Sequence, residues 1–269
     1  MPYLLENLGS ITEVLRRTPF GLITDVDGTI SNIAPTPQAA KVWPPCRHAL
    51  AILVKHLALV AAISGRPAVE VRNMVKVDGV VYIGNHGMEH WDEGNLKPTE
   101  DIADYSAVIT ATIDELTPVL SRPDIILETK GITATIHYRL CPNHQAARRE
   151  ILAALKKATP AKRLRIMSGK MSINLLPPVD INKGTAVIKL IKAYSLRAGV
   201  YLGDEVTDID AFKAIHSAAR NSEFQGFTIG VTSREMPKRL RDESDFTLNG
   251  IDDVACFLEW LSQTVPPIR

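Results

Sequence analysis

The sequence predicts an α/β protein: a parallel sheet with a smaller α+β segment inserted into it. Three observations carry this. Short β-type runs alternate with stretches of helical periodicity at both ends of the chain. Those runs are continuously apolar, as strands covered on both faces are. The middle of the chain has a different texture, with two helix-like stretches each followed by a pair of strand-like runs. At 269 residues, 45% hydrophobic and 23% charged, the chain suffices for one large or two modest globular domains.

The strand-like runs of the parallel sheet are Phe20 to Thr24, Leu57 to Ile63, Val80 to Ile83, Gly199 to Leu202, Phe227 to Val231 and Phe246 to Leu248. From about Trp91 to Leu176 the order changes. Helix-like Tyr105 to Leu120 precedes Ile125 to Thr129 and Ile132 to Tyr138, with Lys130-Gly131 as their hairpin turn. Helix-like His144 to Ala158 precedes Leu164 to Met167 and Met171 to Leu175. This αββαββ order is that of a compact open-faced sheet, expected as a cap inserted through linkers near Trp91 to Pro98 and Pro177 to Ile181. The expected division is a core of residues 1–92 and 178–269 and a cap of 93–177. The sequence holds no internal repeat and no low-complexity tract.

Composition excludes some functions. A net charge of +1 lacks the basic excess that nucleic-acid backbones demand. The longest apolar stretch, Ala49 to Ile63, is broken by Lys55 and His56 and reads as a helix leading into a strand, so no membrane role is expected. Glu6 stands where a signal peptide would carry positive charge, which predicts a cytoplasmic protein. Cys46, Cys141 and Cys256 are isolated and odd in number, and read as ordinary thiols of a reducing compartment.

Four strand ends carry chemistry. The first apolar run ends in Asp25-Val26-Asp27-Gly28-Thr29, which can present one carboxylate as a nucleophile and hold a divalent cation beside it. The plain alternative is an Asp-rich turn bonding its own backbone. The second run ends in Ser64-Gly65-Arg66, placing a hydroxyl where a phosphoryl oxygen could bind. Asn182-Lys183-Gly184 opens a segment with Ala186, Val187, Leu190, Ile191 and Tyr194 at helical spacing. A lysine opposes the dipole at a helix start, so a phosphate or an aspartate must be its partner, unless it is simply a solvated surface residue. Finally Gly203-Asp204-Glu205-Val206-Thr207-Asp208 crowds acids that repel unless a cation screens them. Acids at a helix start would also complement its dipole.

Together, in order and in strand-end context, these segments resemble the haloacid dehalogenase-like (HAD) phosphatases. Tyr82 to Glu89, Lys130 with His137-Tyr138-Arg139, and Thr207 to Phe212 further resemble trehalose-6-phosphate phosphatases of that superfamily. The similarity spans about residues 20 to 260 and implies a HAD-like Rossmannoid core with an inserted α+β cap. It implies Asp25 as nucleophile and Asp27 as acid and base, with Ser64 and Lys183 on the phosphoryl oxygens. It also implies magnesium held by Asp25, the main-chain carbonyl of Asp27 and Asp204, supported by Asp208.

For the sugar, the resemblance and residue polarity single out Arg66, Asn85, His86, Glu89, Lys130, His137, Arg139 and Lys170. Glu89 could equally be a surface charge, and His137, alternating with Thr135, could face solvent. One position departs from the family. The family's Gly-Lys-x-x-x-Glu pattern here reads Gly169-Lys170-Met171-Ser172-Ile173-Asn174, and Asn174 is neutral and carries donors as well as an acceptor. The resemblance of Gly84 to Glu89 and Lys130 to Arg139 implies trehalose 6-phosphate as substrate, and Asn174 keeps sucrose-phosphate or glucosylglycerate-phosphate types open as alternatives. A non-catalytic phosphosugar-binding module would have lost a catalytic group, yet Asp25, Asp27, Ser64, Lys183, Asp204 and Asp208 are all present.

Overall fold

The computed structural model describes residues 1–92, 95–98, 102, 104–220, 223–233 and 238–265. These form two compact units, Met1–Lys97 with Ile181–Arg269, and Pro98–Asp180. The boundary expected at residue 93 lies outside the described residues.

The first unit runs α1 (Leu8–Leu15), β1 (Phe20–Thr24), α2 (Pro44–Leu53), β2 (Leu59–Ile63), α3 (Ala68–Val75), β3 (Val81–Gly84), β4 (Glu89–Asp92) and β5 (Asn95–Pro98). The second unit contributes α4 (Tyr105–Leu120), β6 (Ile126–Thr129), β7 (Ala134–His137), α5 (His144–Lys157), β8 (Arg165–Gly169) and β9 (Ser172–Leu176). The chain then returns with α6 (Lys183–Ala193), β10 (Ala198–Gly203), α7 (Asp208–Ala219), β11 (Gln225–Thr232), α8 (Lys238–Glu243), β12 (Phe246–Asn249) and α9 (Gly250–Thr264).

The first unit's sheet has the order β12-β11-β10-β1-β2-β3-β4-β5. Its strands from β12 through β3 are parallel. Alternate side chains of one strand feed two separate cores. Leu22, Val200 and Leu202 pack with α1, α2 and α9 on one face, while Ile23 and Tyr201 pack with α6 and α7 on the other. This is why these strands read as unbroken apolar runs. From β1 the chain moves to β2 on one side, and from β10 to β11 on the other. The carboxyl ends of β1 and β10, paired from Phe20↔Ala198 to Thr24↔Leu202, are thus a topological switch point, where open α/β sheets bind ligands.

One expectation is corrected. Trp91 to Pro98 is not merely a linker, since β4 pairs antiparallel with β3 (Tyr82↔Trp91) and β5 continues the sheet edge. The cause is amphipathic: Trp91 packs against the core, and the Arg72 guanidinium lies 5.2 Å from its ring centroid.

The second unit is a four-stranded antiparallel sheet, β6-β7-β9-β8. Val108, Ile109, Leu116 and Leu120 of α4 and Ala147, Ile151 and Leu155 of α5 pack with Ala134, Ile136, Ile173 and Leu175 of the sheet. The opposite face carries Glu128, Thr135 and Asn174 in one register row. No described helix of the chain is long and apolar enough to cross a membrane.

Candidate active site

Asp25 follows β1 directly and its amide donates to the Leu202 carbonyl of β10 (2.8 Å), so the nucleophile candidate stands at the switch point. Lys183 is brought to it by the start of α6, fixed by a capping box. The Asn182 side chain accepts from the Thr185 amide, and the Thr185 hydroxyl accepts from the Asn182 amide, each at 3.0 Å. The Lys183 ammonium is fully buried and donates to Asp25 Oδ1 (2.6 Å), Asp208 Oδ1 (2.8 Å) and Glu205 Oε1 (3.1 Å). A lysine placed against the helix dipole thus has its reason in carboxylates.

Asp208 organises the β10–α7 loop. Its Oδ2 accepts from the Asp204 and Glu205 amides, both at 3.0 Å. Its Oδ1 accepts from Tyr201 Oη (2.7 Å) as well as from Lys183. The turn wraps so closely that a Cβ on Gly203 would stand 2.3 Å from Asp208 Cγ. Gly28, at φ +94°, similarly leaves room for Asp204, whose Oδ2 a Cβ there would meet at 2.0 Å.

Three carboxylates, Asp25, Glu205 and Asp208, therefore surround the ammonium of Lys183, and Asp204 stands beside Asp25 and Asp208. Burial lifts the Asp25 carboxyl well above the usual carboxylate range; Lys183 opposes this, and Asp208, Glu205 and Asp204 add to the lift. Burial works against the Lys183 charge, but Asp208 and Asp25 outweigh it and hold its pKa well above the ordinary value. Asp25 Oδ2 is buried with no hydrogen-bond partner, a costly state for a carboxylate oxygen. Asp25, Asp204 and Asp208 offer ligand atoms within 4.8 Å of one another, although both Asp208 oxygens already receive two donors each. An orphaned oxygen among hard oxygen donors fits a divalent cation such as Mg²⁺.

Asp27, one turn of the loop onward, is gripped by Arg66, with Nε to Oδ2 at 2.6 Å and Nη2 to Oδ1 at 2.8 Å. Ser64 is buried just past β2, and its Oγ accepts from the Arg66 amide (3.2 Å). The β2–α3 loop is zipped to the residues after β3, the His86 amide donating to Ser64 O (2.9 Å) and the Asn85 amide to Arg66 O (2.8 Å). Asn85 and His86 adopt positive φ, 47° and 58°, sparsely populated conformations that cluster at functional sites. Glu89 is buried: it accepts from the Ala68 amide at the start of α3 (3.0 Å) and bonds Asn85. Burial raises its pKa.

In the second unit, Glu128 receives His137 Nε2 (2.7 Å) and stands 3.4 Å from Lys130 Nζ. Asn174 is buried and its Oδ1 accepts from Thr135 Oγ1 (2.9 Å). Arg139 Nη2 donates to the Lys170 carbonyl (3.3 Å). Thr29, the hydroxyl closing the first strand-end motif, donates to Asp204 Oδ1 at 3.4 Å, whereas Glu128 and Tyr201 escaped sequence reasoning as site residues. Tyr201 had a signal, a phenol inside a fully buried aliphatic strand, whereas Glu128 emerges only from strand register.

The chain is similar to known proteins in sequence and in fold. The trehalose-phosphatase family model matches residues 23–246. The chain is 30% identical over 277 aligned residues to a trehalose-phosphate phosphatase of Mycobacterium leprae, covering 98% of this chain and 62% of that protein. It is 33% identical over 215 residues to the one from Mycobacterium avium, covering 76% of this chain and 52% of the relative. The chain thus spans little more than half the length of these relatives. In fold it is similar to the trehalose-6-phosphate phosphatase C-terminal domain of Candida albicans, with TM-score 0.77 at 20% identity, covering 97% of this chain and 98% of that one. It is also similar to a trehalose-6-phosphate phosphatase related protein, with TM-score 0.74 at 18% identity over 90% of this chain and 97% of that one. The fold is HAD-like, and by the family model's match over most of its length the chain belongs to the trehalose-phosphatase family.

Proposed function

We propose that the chain is a magnesium-dependent phosphatase that hydrolyses a sugar phosphate, best read as trehalose 6-phosphate, through an aspartyl phosphate on Asp25. The observation that carries this is the buried Asp25 carboxylate, one oxygen held by Lys183 and the other without a hydrogen bond, in a chain of this family. A carboxylate so held is oriented for attack, and its raised pKa marks an environment hostile to its charge until a cation arrives.

Asp25 attacks phosphorus as the bond to the sugar oxygen breaks, and Asp27 gives that oxygen a proton. Water then attacks the acyl phosphate, Asp27 takes its proton, and phosphate leaves as the Asp25 carboxylate is restored. Lys183 and Ser64 balance the charge moving over the phosphoryl oxygens. A magnesium ion would be held by Asp25, Asp204 and the Asp27 main-chain carbonyl, with Asp208 fixing the loop rather than spending its saturated oxygens. When bound, it supplies Lewis-acid polarisation of the phosphoryl group. The cap unit is read as the specificity element, with Lys130, His137, Arg139, Lys170 and Asn174 as its polar candidates.

The test is phosphate release across a panel of sugar phosphates, with and without chelator, and with Asp25→Asn. We expect trehalose 6-phosphate to be turned over best, loss of activity with chelator, recovery with magnesium, and no turnover by the variant. Label from substrate trapped by acid quench on any residue but Asp25 would refute the mechanism. Preference for another disaccharide phosphate would replace the substrate while leaving the mechanism standing.

A further inference from the structure

We infer that Arg66 is a positioning residue of the reaction, acting through Asp27 rather than on the sugar. This rests on the reading of Asp27 as the proton-transfer group.

The Arg66 fork meets both Asp27 oxygens, at 2.6 and 2.8 Å, the bidentate geometry that a guanidinium forms and an ammonium cannot. The guanidinium has further contacts away from Asp27. Nη2 also donates to the Pro37 carbonyl (3.0 Å), and Nη1 lies 3.8 Å from Glu70 of α3. The backbone of Arg66 is tied as well, its amide to Ser64 Oγ and its carbonyl to the Asn85 amide. The arginine side chain is 11% exposed while that of Asp27 is 35% exposed. The guanidinium is thus the packed fixture, and the carboxylate is the half of the pair that a sugar oxygen or a water can reach.

The clamp has a chemical consequence. An ionised carboxylate has about four acceptor directions, and the fork takes one on each oxygen along the edge facing Arg66. The directions left to Asp27 point away from Arg66; one of them carries the proton when Asp27 acts as the acid and receives it from water when Asp27 acts as the base, and their orientation is set from the Ser64–Arg66 loop. Asp27 sits before Gly28, at φ +94°, where the main chain turns sharply. A half-exposed aspartate on such a turn would otherwise sample several rotamers. Proton donation to the leaving oxygen and proton capture from water both require heavy-atom approach within hydrogen-bond reach. One fixed rotamer serves both half-reactions, so losing it slows each of them without removing a contact to the substrate.

Arg66→Met, Arg66→Lys, Asp27→Asn and the double variant Arg66→Met with Asp27→Asn test this in the full-length chain. The substrates are trehalose 6-phosphate and p-nitrophenyl phosphate, whose leaving group departs without a proton. Arg66→Met is expected to lower kcat for the sugar phosphate about 100-fold, the cost of a misplaced catalytic group, with KM changed less than about threefold. Its single-turnover phosphorylation by the aryl phosphate should fall less than about threefold. The double variant should be no slower than Asp27→Asn alone, because a residue acting only through Asp27 has nothing left to position. Arg66→Lys, which keeps the charge but not the fork, should recover less than about a tenth of the loss, and it carries the same test should the methionine variant unfold. A raised KM with unchanged kcat, or losses that multiply in the double variant, would overturn the inference and place Arg66 on the substrate. Wild-type turnover by Asp27→Asn would instead remove the proton-transfer role of Asp27, and the positioning role with it.

Discussion

Lys183→Met isolates the charge balance of the site, because methionine fills nearly the same volume and removes only the ammonium. Lys183 is fully buried and serves Asp25, Asp208 and Glu205, so the variant leaves buried carboxylates uncompensated. Breaking a buried pair from one side costs about 3–5 kcal/mol. With a urea slope near 2 kcal/mol/M, the midpoint should fall by about 1.5–2.5 M. The loss should shrink with falling pH. Asp25 has a raised pKa in the folded state, so the native site takes up a proton before the unfolded chain does, and stability contributed by Asp25 falls as pH rises above the ordinary aspartate value. Magnesium should restore part of the loss, since a cation drawn to a more negative site stabilises the native state by mass action. Urea titrations in chelator and in magnesium, at pH 5 and pH 8, measure all three effects. A variant unfolding at the wild-type midpoint in chelator at pH 8 would show that Lys183 is not balancing these charges.

Two further predictions concern other parts of the chain. His216 of α7 bonds Asp245 at 3.0 Å, and Thr228 Oγ1 and its amide bond the same carboxylate oxygen. The Asp245 bond raises the His216 pKa, so its stabilisation is full below the ordinary histidine value near 6.5 and is lost as pH rises through the folded value. His216→Ala should cost about 0.5–1 kcal/mol at pH 6, discounted for partial exposure, and almost nothing at pH 9; equal denaturation shifts at both pH values would contradict it. Asn174→Glu should raise kcat/KM for trehalose 6-phosphate relative to glucose 6-phosphate by about 10- to 150-fold, one charge-assisted hydrogen bond of about 1.5–3 kcal/mol. An unchanged ratio would mean that position 174 does not meet the substrate.

How far the sequence spoke depended on whether a signal was local. Helix α4 has the expected bounds, Tyr105–Leu120, because its apolar period is unbroken over four turns. The six parallel strands lie where continuous apolar runs stand, and their ends place Asp25, Ser64 and Asp204 on one rim, since a carboxyl-terminal strand end needs only the strand to be found. Strand β4 was missed because Glu89 to Asp92 is stabilised by what Trp91 meets across the sheet, not by its own four residues. The target of Arg66 was invisible for the same reason. Sequence placed it among polar groups near a sugar, but 39 residues separate it from Asp27, and only the adjacency of β1 and β2 brings their loops together. Asn174 shows both limits: its departure from the family pattern is legible, while its bond to Thr135 follows from a register that one slipped residue would reverse.

Lys183 and Asp208 connect these levels in one argument. The sequence offers a lysine at a helix start and a cluster of acids at a strand end, each unfavourable alone. Folding brings them together, yet the sum does not close: one ammonium faces three carboxylates with Asp204 beside them, and Asp25 Oδ2 still lacks a hydrogen-bond partner. Asp208 is satisfied through Lys183, Tyr201 and two amides, so the residual negative charge concentrates on Asp25 and Asp204, beside the close-approaching Gly28. A site that has satisfied its scaffold and left Asp25 short of positive charge would be stabilised by a divalent cation, which under the proposed mechanism would also offset the charge of a bound phosphoryl group. Magnesium should therefore protect the wild-type fold against urea even without substrate, and Asp204→Asn should abolish that protection while leaving the midpoint in chelator the same or higher, because it removes a repelling charge. Protection that survives the substitution would place the cation elsewhere.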